Sequence, residues 1–249
     1  MSKVKEVVIA EHAKELKLPT IGREYVNVAR TASNEGWLYE DYLKDLLDLE
    51  VCARRDRTAE KRLKQARFPD IKTLDQIDWS TLQGIPKSKI LELASCEYID
   101  RGHDIVLAGP IGTGKTHLAI ALGVEACRRR KRVIFKRAAD LVCELREARD
   151  ERRLSLLQKR YHHAELLLID EFGFVPFDRA GGELLFNLLS ERYEKRSTLV
   201  TTNLSFGEWV QVFGCEKLTT ALLDRLTHHA EILTTKGSSY RTKKKVKDQ

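Results

Sequence analysis

The chain has 249 residues, 33% of them charged, and a formal net charge of +7; this length suits one α/β domain plus a small extra module. The basic surplus favours an anionic partner, nucleic acid before membrane. Composition also excludes classes: the five cysteines are widely spaced with no Cys-x-x-Cys pair, which argues for reduced thiols in a cytoplasmic protein and against a disulfide framework or zinc site, and no apolar run reaches the ~18 residues of a membrane span.

The N-terminus, MSKVKEVVIAEHAKEL, carries acids where a secretory signal would be apolar. Residues 1 to about 66 read as all-helical, in three stretches: VKEVVIAEHAKELKL, IGREYVNVARTASNEG and YEDYLKDLLDLEVCARRDRTAEKRLKQA. Leu43, Leu46, Leu47 and Glu50 fall at helical spacing, and no Gly or Pro interrupts the third stretch. Phe68-Pro69 ends it, because proline disfavours helix in the residue before it. The chain is thus expected to divide into a helical segment over 1–68, a main domain over 69–240 and a basic tail over 241–249.

From about residue 86 the texture alternates. A helix over roughly 87–100 leads to the apolar run DIVLAG, then a Gly-rich loop and the helix THLAIALGVEACRRR. RVIFKR, ELLLIDE, STLVTTN and EILTTKG read as further strands, separated by a charged helical zone from Ala138 to about His162 and by the helices GGELLFNLLSERYEKR and TALLDRLTHHA. Strands alternating with helices imply a parallel sheet covered on both faces. The adjacent pairs His162-His163 and His228-His229 are expected to point different ways on a helix or strand, which argues against a metal site at either.

The loop itself is Gly109, Pro110, Ile111, Gly112, Thr113, Gly114, Lys115 and Thr116, with the pattern GxxxxGK[ST]. Glycines let backbone N–H groups wrap a phosphate, the lysine reaches the β and γ phosphates, and the hydroxyl binds Mg²⁺. The loop follows a strand and opens a helix, whose N-terminus also favours an anion; His117, next along, belongs to the expected nucleotide set. Asp170 and Glu171 end the apolar strand LLLI, at the sheet edge where ligands bind. Asp170 is expected to hold Mg²⁺ with Thr116, and Glu171 to activate water as general base. Asn203, at the end of STLVTTN, is placed to orient water or sense the γ-phosphate. The expected cofactors are ATP and Mg²⁺. There is no NKxD for guanine and no LSGGQ, so GTPases and ABC ATPases are set aside.

The Asp-Glu strand followed by a polar strand resembles the AAA+ class. That resemblance implies an arginine supplied by a neighbouring subunit, for which Arg225 in LLDRL is the best-placed candidate and Arg192 and Arg196 are alternatives. The order GPIGTGKTHLA, LLLIDEFGF, ELLFNLLSERYEKRSTLVTTN, LLDRL and a terminal SYR is similar to the DnaC and IstB group of AAA+ proteins. The front segment EYVNVARTASNEGWLYEDYLKDLLDLEVCARRDRTAEKRLKQARFP resembles IstB proteins, the helper ATPases of bacterial insertion sequences. The resemblance runs from about Leu16 to Arg241 and implies an α/β fold, a P-loop AAA+ parallel sheet flanked by helices. It also implies a small helical N-terminal domain for DNA binding and oligomerisation, and little or no C-terminal lid, so that Arg241 is at best a partial sensor. The implied activity is an ATPase that assembles on DNA as a homo-oligomer and helps a separate transposase.

Three basic zones agree with duplex DNA as a partner. Arg54 to Arg67 carries Arg54, Arg55, Arg57, Lys61, Arg62, Lys64 and Arg67 against Asp56 and Glu60; Arg128 to Arg137 carries seven Lys/Arg and no acid; Lys236 to Gln249 carries six against Asp248. Charge gathered into patches favours a polyanion more than charge spread evenly. Arg146 and Arg149, in the charged zone before LLLIDE, lie where initiator-type AAA+ proteins insert a helix lining the DNA channel, although acids between them can form i,i+4 pairs instead. With Arg137, these complete the expected DNA contacts. The rival is a helicase loader of the DnaC type, which acts on single strands.

Overall fold

The computed structural model describes residues 3–213 and 215–237. The chain divides into two compact units, Met1–Glu60 and Lys61–Gln249. The first is helical: α1 (Lys3–Glu15), α2 (Pro19–Glu35) and the greater part of α3 (Tyr39–Ala66). Proline at the start of α2 and left-handed Gly36 at its end (φ 69°) delimit that helix. The core is small. Tyr25, Val28 and Leu46 are buried, with Ile9, Ile21, Val26, Trp37 and Tyr42 against them. Of the leucines spaced along α3, Leu46 faces in, whereas Leu43 and Leu47 are exposed.

Glu50, also on α3, is 3% exposed and accepts hydrogen bonds from the N–H groups of Thr20 (2.7 Å) and Ile21 (3.2 Å). These are first-turn donors of α2 that no helical carbonyl can satisfy. Burial alone would raise the Glu50 carboxyl; the bonds from Arg54 and from these two N–H groups outweigh it and hold the group below its ordinary value.

Helix α3 continues past the unit boundary, and Leu63, Ala66 and Phe68 belong to the core of the second unit. The helix stops at Ala66, where Arg67 turns left-handed (φ 58°) just ahead of Phe68-Pro69. Phe68 lies on Gly123 of the P-loop helix, where an added Cβ would stand 2.9 Å from its ring.

The second unit is a five-stranded parallel sheet in the order β2-β3-β4-β1-β5. Its strands are β1 (Asp104–Ala108), β2 (Val133–Arg137), β3 (Leu166–Phe172), β4 (Ser197–Thr202) and β5 (Ala230–Thr234). One face is covered by α4 (Lys87–Leu93), α5 (Glu97–Asp100) and α6 (Lys115–Arg128). The other is covered by α7 (Ala138–Asp150), α8 (Leu154–His163), α9 (Arg179–Arg192), α10 (Trp209–Phe213) and α11 (Glu216–His228). Leu166 and Leu168 face the first layer, and Leu167 and Ile169 the second, the period-two alternation of a strand buried on both sides. This is the expected α/β architecture, a parallel sheet flanked by helices.

Two expected single helices are broken. The helix over 87–100 divides at Cys96 (φ 65°), and the charged zone after Ala138 divides at Arg152 (φ 56°). Neither residue type signals a left-handed turn, which is why the sequence reads through both.

The connection leaving β1 runs to β2 at one edge of the sheet, whereas the one leaving its neighbour β4 runs the opposite way, past β1 to β5. A crevice opens at such a switch point beyond the C-terminal ends of the strands. The loop after β1 and the acids ending β3 both lie there.

Candidate active site

The phosphate loop runs from Gly109 to Thr116, between β1 and α6. Gly109 (φ 138°), Gly112 (φ 80°) and Gly114 (φ 91°) all have backbone that side chains rarely adopt. At Gly109 the neighbour adds a second constraint, since a Cβ would meet Thr235 Oγ1 at 2.3 Å. Thr113 donates to the Pro110 carbonyl (2.8 Å) and shares a 2.7 Å hydrogen bond with the Thr235 hydroxyl, tying the loop to the chain beyond β5. Ile111 is exposed at the loop's tip. His117 sits within 3.3 Å (Nε2) of the Thr73 carbonyl and fastens α6 to the connector before α4.

Lys115 folds its ammonium onto the loop, donating to the carbonyls of Gly109 and Pro110 at 2.7 Å each. Burial pulls its pKa below the ordinary lysine value, and the charge of Asp170 offsets part of that. Thr116 donates to Asp170 Oδ1 at 2.9 Å. Asp170 is 3% exposed and takes a second hydroxyl bond from Thr201 on β4. The same Thr201 hydroxyl accepts the backbone N–H of Glu171 at 3.0 Å.

A bulge explains how two adjacent acids serve one crevice. Ile169 pairs with Val200 and Phe172 with Thr202, so β3 spends one residue more than β4 over that interval. Glu171 sits in the bulge with a left-handed backbone (φ 58°). In a regular strand Glu171 would share the parity of Leu167 and Ile169 and be buried in the core. The extra residue puts Phe172 there instead and leaves the Glu171 side chain half exposed. Arg137, ending β2, holds its Nε 3.8 Å from Glu171 Oε2.

The donor set suits a small hard cation. The Asp170 carboxylate and the Thr116 hydroxyl are oxygen ligands side by side, and no fixed cation is hydrogen-bonded to Asp170 among the described residues. The lysine and the glycine cradle suit a triphosphate.

Asn203 lies just past β4, half-buried, with no hydrogen bond among the described residues. The polar residue of that strand touching both acids is Thr201, which sequence reasoning passed over although it stands in the same LVTTN stretch. Arg225 is tied to α9, with its guanidinium 4.7 Å over the Phe186 ring and a bond to the Ser190 hydroxyl. Arg192 is wholly buried. It donates to the carbonyls of Tyr161, Ala164 (2.9 Å) and Ser197 (2.6 Å), closing the end of α8, so it cannot be presented to another subunit. Desolvation pulls the Arg192 pKa down to about 9. Arg196 is exposed and rests against the His162 carbonyl (3.3 Å). Arg241 and the tail lie outside the described residues.

Several expected DNA contacts are already engaged. Arg54 binds Glu50 (2.9 Å) and the Lys17 carbonyl, and Arg57 binds the Thr20 hydroxyl (2.8 Å). Arg62 donates to the Arg130 carbonyl (3.1 Å), Arg146 to Asp178 (3.3 Å) and Arg149 to Asp150 (3.0 Å). The acid-free run from Arg128 to Arg137 draws acids from elsewhere: Glu125 meets Arg128 and Arg129, and Glu144 meets Lys136. Arg55, Lys61 and Lys64 are exposed and without a partner among the described residues.

The model of the IstB-like ATP binding protein family matches residues 11–248. The chain is 40% identical over 232 residues to the insertion sequence IS21 putative ATP-binding protein of Pseudomonas aeruginosa, covering 93% of this chain and 88% of that protein. It is 36% identical over 237 residues to the insertion sequence IS5376 putative ATP-binding protein of Geobacillus stearothermophilus, covering 95% and 94%. Among solved structures it is similar to the DnaC helicase loader, with a TM-score of 0.53 and 23% identity over 60% of this chain and 87% of that one, a likeness of fold. No described helix is long and apolar enough to cross a membrane.

Proposed function

We propose, from the premise that this chain belongs to the IstB-like ATP binding protein family, that it is a DNA-dependent ATPase whose ATP-bound form assembles on duplex DNA and activates a partner transposase. The observation that carries the ATPase reading is the bulge that sets Glu171 beside the Thr116–Asp170–Thr201 group. In the proposed mechanism, Lys115 exchanges its two loop carbonyls for the β and γ phosphates, and loop N–H groups hold the remaining phosphate oxygens. Thr116 and Asp170 would hold magnesium, which would supply charge neutralisation to the phosphates. Glu171 accepts the proton of the attacking water. Arg225 leaves Ser190 and Phe186 to reach the γ-phosphate of a neighbouring copy in a homo-oligomer. Asn203 remains a candidate to orient the water, with Thr201 anchoring Glu171.

The contact of Arg137 with Glu171 supports the dependence on DNA. A cation 3.8 Å away competes with water for the Glu171 carboxylate. A DNA phosphate that competes for Arg137 frees the base. Of the expected DNA contacts, Arg55, Lys61 and Lys64 can take phosphates without breaking a bond among the described residues. The five free thiols agree with a cytoplasmic setting.

The test compares ATP turnover with no DNA, duplex DNA and single strands, in wild type and Arg137→Ala. Duplex DNA is expected to stimulate the wild type most, and Arg137→Ala to raise the DNA-free rate and shrink the stimulation. Stronger stimulation by single strands would instead favour a helicase loader.

A further inference from the structure

We propose that His228, His229 and Glu194 form a binding site for a divalent transition cation of the zinc or nickel class. Adjacent histidines diverge within a helix, and the sequence argues against a site for that reason. Here the helix ends between them. His228 is the last residue of α11, and His229 leaves the helical path (φ −123°, ψ 40°), so the two imidazoles converge with ring centroids 4.1 Å apart. Glu194, in the turn after α9, meets both: its Oε1 lies 3.8 Å from His228 Nδ1 and 3.4 Å from His229 Nε2. The three donor atoms are within 4.8 Å of one another. Tetrahedral zinc bonds of about 2.0–2.1 Å set donors about 3.4 Å apart, so shifts of the order of 1 Å complete the geometry.

Two imidazoles and one carboxylate select borderline metals over magnesium or calcium, and water can fill the remaining positions. The surroundings favour a cation. The C-terminal ends of α9 and α11 both point here, and each carries a partial negative charge. The His103 ring stacks on His229 (5.6 Å, 10° between planes) and steadies it. The Tyr193 hydroxyl, 2.6 Å from His228 Nδ1, rotates off when the cation takes that lone pair. The site is separate from the nucleotide crevice. The His229 carbonyl accepts the N–H of Asp104 (3.2 Å), the first residue of β1, whereas the phosphate loop follows its last. A bound cation would cross-link the ends of α9 and α11, the two helices between which Arg225 is docked.

The probe is Ni²⁺, titrated by calorimetry into tag-free, EDTA-stripped full-length protein in excess Mg²⁺, with thermal melts in parallel. The expected result is one equivalent bound and a higher melting temperature. His228→Ala, His229→Ala and Glu194→Gln each weaken binding at least tenfold and abolish the thermal shift, while their metal-free melts match the wild type because all three side chains are exposed. The doubly substituted His162→Ala, His163→Ala protein retains both effects. Absence of binding, or binding undiminished in His228→Ala and Glu194→Gln, overturns the proposal.

Discussion

Glu50 in the helical unit and Asp170 in the sheet unit are carboxylates buried to the same 3% exposure, and their partners differ in kind. Glu50 accepts two backbone N–H groups and an arginine, so its charge is met by fixed donors and a permanent cation. Among the described residues, Asp170 accepts from the hydroxyls of Thr116 and Thr201, which can rotate. Hydroxyls solvate a carboxylate without neutralising it. A buried acid closed by fixed donors and a cation acts as a structural tie, whereas one left with rotatable neutral donors is prepared for a cation that comes and goes.

The largest effects should fall on chemistry at the second centre. Glu171→Gln is expected to lower ATP turnover about 10²–10⁴-fold, since the amide cannot take the water's proton. Nucleotide affinity and melting temperature stay near wild type, and DNA complexes in excess ATP live longer. Equal complex lifetimes for the variant and the wild type would remove hydrolysis as the disassembly step. At the first centre, Glu50→Ala should cost about 3 kcal/mol, because two helix donors and Arg54 lose their buried partner. Denaturation and limited proteolysis should locate that loss in residues 1–60, with DNA-free ATP turnover unchanged.

The two arginines invite the same comparison. Arg192→Met should cost about 2–3 kcal/mol by stranding three carbonyls in the interior. Arg225→Ala should cost about 1 kcal/mol, the value of its ring contact, yet remove most turnover. Mixing Arg225→Ala with Lys115→Ala should restore activity if the arginine acts across subunits; no recovery in verified mixed oligomers would reassign it to Arg196. Thr201→Val keeps the shape of β4 and deletes one hydroxyl. A loss of about 1–2 kcal/mol is expected, with turnover falling further than nucleotide affinity because Glu171 loses its backbone anchor.

A pH slope completes the comparison. Burial pushes the Asp104 carboxyl up to about 7, against the bond from the Thr198 N–H and the charge of Arg192. Between its ordinary range and pH 7 the folded chain holds a proton that the unfolded chain has released. Stability should therefore decline as pH rises from about 4 to about 7 and level off above. Asp104→Asn keeps an acceptor for Thr198 and should flatten that slope in urea denaturation at pH 5, 6, 7 and 8.

The sequence by itself determined the strands, the alternating layers, the phosphate loop and the Asp170-Glu171 pair. Each is a property of consecutive residues: an apolar run, a glycine spacing, a strand with acids at its end. The three front helices were legible for the same reason. What only the tertiary structure decided depends on residues brought together from far along the chain. Thr201 reaches Asp170 across 31 residues, Arg192 reaches the Tyr161 carbonyl across 31, and Arg54 closes on Lys17 across 37. The bulge that turns Glu171 out of the core follows from the pairing of β3 with β4, and the meeting of His228 with His229 from where α11 stops. Charge runs misled for a related reason: a run counts neighbours in sequence, but a Coulomb interaction depends on distance in space, and the acids that neutralise much of Arg128 to Arg137 lie outside the run.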